Sequence, residues 1–193
     1  MSTPSAIDFR AQGPRLYHVR PDHPLAAAVT VELAIEYSTR YGGTAGAIHQ
    51  QMRARPAADF TPPAGGLVVL VEHGEPLAGG GFRRADRTTA ELKRVWTARE
   101  QRRRGLASRV LAELETMMIR LGYRRAFATT GDRQPEAGSL YRASGYIEVG
   151  GAERGGGRYR FEKLLGSAEL GGACFPGTAD PARGFARRDV YLA

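Results

Sequence analysis

The sequence predicts a mixed α/β domain, and three observations carry that reading. Short apolar runs, some of them alternating with polar residues, read as strands, and longer stretches with apolar residues at helical spacing read as helices. Glycine and proline fall where these elements should stop. The two kinds of segment interleave along the chain, which favours helices packed on the faces of a sheet.

Residues 1–14 form a loose lead-in, and the domain proper is expected over residues 15–165. RLYHVR (15–20) alternates like a short strand. PLAAAVTVELAIEYSTRY (24–41) is a helix with Leu25, Val29, Leu33 and Tyr37 four apart, ended by Gly42 and Gly43. Residues 44–55 make a weaker helix that Pro56 closes, and TPPAGG (61–66) is a turn. Two apolar runs, 67–72 and 77–83, flank HGEP and predict a hairpin. TTAELKRVWTA (88–98) is the next strand. Its alternation puts Glu91, Lys93 and Val95 on one face and Leu92, Arg94 and Trp96 on the other.

Residues 105–121 carry the clearest helical stripe, from Leu106 through Val110, Leu114 and Met117 to Leu121, with Gly122 as its stop. YRRAFATT (123–130) is a strand. PEAGSLYRASG (135–145) is a short helix with proline at its start and glycine at its end. YIEVG (146–150) and RYRFEKLL (158–165) close the domain around a glycine-rich turn. Residues 166–193 are rich in Gly, Ala and Pro without a period and form a C-terminal extension.

At 193 residues and 42% hydrophobic composition the chain can bury a real core. It has no run of 18 apolar residues, so no membrane span is expected, and MSTPSAIDFR lacks the pattern of a secretory signal. A single cysteine, Cys174, forms no internal disulfide and suits a reducing, cytoplasmic setting. His18, His23, His49 and His73 lie far apart without metal-ligand spacing, so no metal is expected. The net charge of +8 suits anionic partners.

REQRRRGLAS (99–108) concentrates that charge, with four arginines in six positions before a glycine and a helix. A helix start leaves its first backbone N–H groups without intrahelical partners and carries about half a positive charge. Gly105 admits a close approach of the backbone, and Ala107 and Ser108 are too small to block it. Arg102, Arg103 and Arg104 add guanidinium forks that match phosphate oxygens. A di- or polyphosphate is the expected guest. The stretch is no Walker A loop, lacking Gly-Lys-Ser/Thr, and no dinucleotide fingerprint, lacking the second of three glycines.

The pattern Arg102-x-x-Gly105-x-Ala107 resembles the Q/R-x-x-G-x-G/A signature of the GNAT superfamily of acyl-CoA-dependent N-acetyltransferases. ELKRVWTA resembles that family's central strand, and QPEAGSLYRASGY (134–146) its tyrosine-bearing helix before a Gly-Phe/Tyr pair. The resemblance spans roughly residues 15–165. Ala107 stands where glycine is frequent, and Gln134 where asparagine is common. The resemblance implies a mostly antiparallel sheet splayed at its middle strands and flanked by helices, with acetyl-CoA as co-substrate. Its diphosphate would lie on residues 103–108, Leu106 included. Its pantetheine arm would pair with Val95, Trp96 and Thr97, and its thioester would lie where that strand parts from 124–129.

The implied reaction is acetyl transfer to a primary amine of a small molecule or protein. By resemblance Glu91, 11 positions before Arg102, is the candidate base, and Tyr141 the candidate acid beside the CoA sulfur. The Val95 N–H is the candidate donor to the thioester oxygen. Two other functions are open at this point. A non-catalytic acyl-CoA sensor would need the same cradle. A nucleic-acid module would need aromatic platforms, and the aromatics here, at 8%, are scattered. Exposed strands at the C-terminal end suit a homodimer.

Overall fold

The computed structural model describes residues 13–150 and 157–166. Most of the lead-in, the glycine-rich turn at 151–156 and the extension from 167, Cys174 with it, lie outside the described residues. The elements run β1 (Arg15–Val19), α1 (Pro24–Tyr41), α2 (Ala45–Arg53), β2 (Gly65–Glu72), β3 (Glu75–Arg84), β4 (Thr89–Thr97), α3 (Leu106–Arg120), β5 (Arg125–Gly131), α4 (Pro135–Ala143), β6 (Ile147–Glu148) and β7 (Arg158–Leu164). Short 3-10 turns at Ala57–Phe60 and Arg99–Gln101 complete them.

Local chemistry explains where the helices begin and end. Pro24 opens α1, and the His23 side chain accepts from the Leu25 N–H at 3.1 Å. Thr44 caps α2 through its side-chain oxygen, which accepts from the Ala47 N–H. Gly122, with φ +86°, takes the chain out of α3 in the left-handed conformation that favours glycine.

One seven-stranded sheet has the order β1-β2-β3-β4-β5-β7-β6. Every neighbouring pair is antiparallel except β4 and β5. That parallel pair is joined by the crossover through α3, as parallel strands require. Helix α3 packs across β2, β3 and β4 on one face, where Val110, Leu111, Leu114 and Met118 meet Val68, Leu70, Phe82 and Leu92. Helix α1 covers the other face, with Val29 and Leu33 against Leu67, Val69 and Trp96. α4 lies against β5 and β7.

β4 does not keep a strict alternation. Gly79 pairs with Trp96 and Gly81 with Lys93, so Arg94 and Val95 together oppose Gly80. This is a β-bulge, and Arg94 takes φ +59° to make it. Val95 thereby turns to the α3 face, alongside Val110 and Leu114, while Trp96 turns to the α1 face with Arg94. The expected grouping of Glu91 with Val95 and of Leu92 with Trp96 is therefore wrong. One extra residue shifts the period of two, and no glycine in β4 signals it.

The bulge residue is held by two contacts. The Arg94 guanidinium lies 4.2 Å from the centre of the Phe60 ring, and Nη2 donates to the Met52 carbonyl at 2.7 Å. Left-handed backbone costs a non-glycine residue roughly 1–2 kcal/mol. A cation over an aromatic face and a hydrogen bond at a helix C-terminus are each of comparable size. Opposite the bulge, the glycines of β3 leave room for close packing. A Cβ at Gly81 would stand 2.4 Å from Leu67 Cδ2 and 2.9 Å from the Gly66 carbonyl.

Candidate active site

β4 and β5 are joined at one end only. Thr89, Ala90 and Glu91 pair with Arg125, Ala126 and Phe127, and the ladder stops there. On its other edge β5 is paired with β7 along its whole length, Arg125 to Gly131, while beyond Glu91 β4 continues to Thr97 with β3 as its one strand partner among the described residues. The two strands part, and on the β4 side of the fork a cleft of about 750 Å³ opens among β4, α1, the start of α3 and α4. Val95, Trp96 and Thr97 line it from β4, and Ala137, Ser139 and Leu140 from α4.

The same cleft receives the start of α3. Arg103 (φ +61°) and Gly105 (φ +73°) are both left-handed, and they turn the chain sharply into the helix. The first helical bond runs from the Arg109 N–H to the Gly105 carbonyl at 3.1 Å. The N–H groups of Leu106, Ala107 and Ser108 precede it, without a place in the helical ladder. Nothing lies within 4 Å of where a Gly105 Cβ would be, so the turn is open on that side. Arg102, Arg103, Gly105, Leu106, Ala107 and Ser108 all line the cleft.

The sequence in this region decides the family: the profile of the acetyltransferase (GNAT) family matches residues 31–146. The chain belongs to the GNAT acetyltransferases. Solved structures with the same fold include an acetyltransferase from Streptococcus agalactiae at 15% identity and TM-score 0.62, covering 79% of this chain and 99% of that one. Another is an acetyltransferase from Thermus thermophilus, at 19% identity and TM-score 0.60, covering 79% and 97%. A third is the PaiA N-acetyltransferase from Thermoplasma acidophilum in complex with coenzyme A, at 13% identity and TM-score 0.62, covering 79% and 99%. Among curated proteins, none matches the chain significantly.

Within this GNAT fold the four arginines of the loop have different surroundings. Arg102 Nε donates to the Thr97 carbonyl at 3.3 Å, and its Nη2 pairs with Glu36 Oε2 at 3.0 Å. Arg104 donates to the Gln101 side chain, and it is not among the residues that line the cleft. Arg103 is exposed and lines it. Arg99 is exposed and faces a second cavity of about 400 Å³ between α1 and the end of β4.

Glu91 is only 8% exposed and sits at the last paired position of the fork, on the α1 face. Arg83 binds it through Nε at 2.8 Å and Nη2 at 2.7 Å, and Lys93 Nζ lies 2.6 Å away. Burial pushes its pKa up, but the hydrogen bonds and charges of Lys93 and Arg83 outweigh that and hold the carboxyl below its usual value. It is ionised and weakly basic.

Tyr141 is 6% exposed and packs against Tyr146 and Phe161 at ring distances of 5.7 and 5.5 Å. It is not among the residues lining the cleft, although its neighbour Leu140 is. Burial, and then the nearby Tyr37 phenol, push its pKa well above the ordinary phenol value, so it stays protonated.

The helices of residues 24–55 are expected from the sequence to line the acceptor side, but sequence reasoning did not single out Glu36 and Arg40 of α1. Glu36 and Arg40 line the cleft together with Glu136 of α4. Arg40 Nη2 binds Glu36 Oε1 at 2.5 Å and also Glu136 Oε1. Arg40 and Arg133 each donate to the other's backbone carbonyl, and the Tyr41 hydroxyl donates to Gln134 Oε1 at 3.2 Å. The C-terminal end of α1 is thus clasped to the β5–α4 loop. Among the described residues no group of three or more His, Cys, Asp or Glu side chains could hold a metal, and no helix is long and apolar enough to cross a membrane.

Proposed function

We propose that the protein transfers the acetyl group of acetyl-CoA to a primary amine by direct attack of the amine on the thioester. The observation that carries this reading is the parting of β4 from β5 beyond Glu91 and Phe127, beside a cleft into which the first amides of α3 open. A structural neighbour that holds coenzyme A supports it. The Leu106, Ala107 and Ser108 amides, with Arg102 and Arg103 beside Gly105, suit the diphosphate, whereas Arg104, bound to Gln101, stands outside the cleft. The β4 edge at Val95, Trp96 and Thr97 has lost its β5 partner and suits the amide groups of the pantetheine arm. When bound, the cofactor supplies an activated acyl carbon. The Val95 N–H, at the bulge, is the donor suited to the charge that grows on the thioester oxygen.

Charge states narrow the acceptor. At pH 7 a lysine-like amine costs roughly 4.6 kcal/mol to deprotonate, and an α-amine about 1 kcal/mol. Glu91 is ionised, which a base must be, but two cations lower its basicity. It acts through water on an amine of modest pKa more readily than on a lysine-like one. Tyr141 keeps its proton, and for its phenol to donate a hydrogen bond to the departing thiolate the neighbouring Leu140, which lines the cleft in its place, has to give way when the cofactor binds. A thiol of pKa about 8.5 is the stronger acid, so the phenol stabilises that thiolate without surrendering its proton to it outright. The single cysteine of the sequence supports a reducing, cytoplasmic setting.

Incubation with acetyl-CoA and a panel of amines, following free thiol, tests this reading. Acceptor-dependent thiol release is expected. Absence of thiol release, together with absence of CoA binding by calorimetry, would refute it. The ion pairs that engage Glu91 favour a second reading, an acyl-CoA-binding sensor without turnover, which CoA binding without thiol release from any amine would select.

A further inference from the structure

One carboxylate of the cleft already occupies an arginine of the phosphate loop. Arg102 Nη2 lies 3.0 Å from Glu36 Oε2, although the two residues are 66 positions apart and sit on different elements. The Arg102 side chain is 36% exposed and that of Glu36 19%. Glu36 Oε1 is held independently by Arg40 Nη2 at 2.5 Å. Both carboxylate oxygens therefore have cationic partners, and only one of those partners belongs to the loop. Glu36, Arg40, Trp96 and Arg102 line the main cleft and the second cavity alike, so this ion pair stands in the wall between them.

We infer that Glu36 is a resident counterion for Arg102 that a bound diphosphate displaces, which makes Glu36 a determinant of cofactor affinity. The inference rests on the reading of the cleft as an acyl-CoA site. Three observations carry it. Arg102 immediately precedes the left-handed turn that delivers the α3 amides, so its guanidinium and those amides border one space. The Nε contact to the Thr97 carbonyl anchors the arginine at the rim, and the exchange needs only the Nη end to change partners. Arg40 keeps hold of Glu36 when Arg102 lets go, so the half-buried carboxylate is not stranded by the exchange. Glu36 lines the second cavity as well, where Glu32 also lies, so its freed charge adds to a locally acidic wall.

The sign of one substitution separates this from a structural role. If Glu36 competes with the diphosphate, Glu36→Gln removes the competitor and tightens CoA binding. If Glu36 merely positions Arg102, the same change loosens it. A partly exposed ion pair corresponds to roughly a two- to fivefold change in affinity. Isothermal calorimetry with CoA, and with inorganic pyrophosphate as a second probe, is run at low salt on wild type, Glu36→Gln, Arg102→Gln and the double variant. The expected result is about two- to fivefold tighter binding of both probes by Glu36→Gln, with no gain from that change when Arg102 is already Gln. Unchanged or weaker binding by Glu36→Gln, or a gain that persists without Arg102, would overturn the inference. Failure of the wild type to bind CoA would instead overturn the acyl-CoA reading. Melting curves establish that each variant is folded.

Discussion

The two ends of β4 differ as if they belonged to different proteins. From Thr89 to Leu92 the strand is buried, and Thr89, Ala90 and Glu91 have partners in both β3 and β5 or the turn beside them. From Lys93 to Thr97 most positions are half exposed, and among the described residues β3 is the only strand partner. The change comes within three residues, at the point where the β5 ladder stops and the Arg94 bulge begins. The closed end supplies stability, and the open end supplies an unpaired edge and a cleft. The cleft is built here by withholding strand pairing from a length of backbone that could otherwise have made it.

The largest effect concerns chemistry beside the open end, on α4. Tyr141→Phe removes one oxygen from a buried ring, so turnover should fall about ten- to ten-thousandfold while CoA affinity stays nearly constant. Steady-state kinetics and calorimetry measure the two, and unchanged turnover would remove Tyr141 from the mechanism. Next comes a contrast in stability. Leu92→Ala, at the closed end, should cost about 2–5 kcal/mol in a denaturant melt. Thr97→Ala, at the open end, should stay within about 0.5 kcal/mol. Equal costs would erase the distinction between the ends.

A smaller effect sits at the turn into α3. Gly105→Val forces a β-branched residue into a backbone at φ +73°, with a cost of roughly 1–2 kcal/mol, and puts bulk on its open side. CoA affinity should drop about tenfold or more. The smallest effect is a pH dependence. The Glu91 carboxyl is held below its unfolded value of about 4.5, so its contribution to stability is present above that pH and is lost as pH falls through the lower folded value. Acid titration should destabilise the wild type more steeply than Glu91→Gln below about pH 4.5. Parallel curves would mean that the Arg83 and Lys93 contacts contribute nothing in solution.

The order of elements was legible because each has its own signal: the α3 stripe, the hairpin around HGEP, Pro135 and Gly145 bracketing α4. The loop that lines the cleft was legible too, since arginines, a glycine and small residues fall together in ten positions. The orientation of Val95 and Trp96 was not. Alternation assumes one residue per step, and the bulge rests on an arginine whose left-handed backbone is held by Phe60 and Met52, distant in sequence. The pairings of the α1 wall were hidden for the same kind of reason. Glu36 and Arg40 read as an ordinary helical pair four apart, and their other partners, Arg102 and Glu136, are supplied only by folding. The role of Tyr141 comes from resemblance, and that Leu140 rather than Tyr141 lines the cleft follows from a helix turn that no pattern in nine residues fixes.

The central claim is that the β4 edge and the α3 amides hold one ligand between them. Amide hydrogen exchange with and without CoA tests it most directly. Joint slowing at 95–97 and 106–108, with the already paired 89–91 unchanged, is the predicted result. Saturating CoA that leaves both stretches exchanging as before, or protects only residues elsewhere, would contradict it.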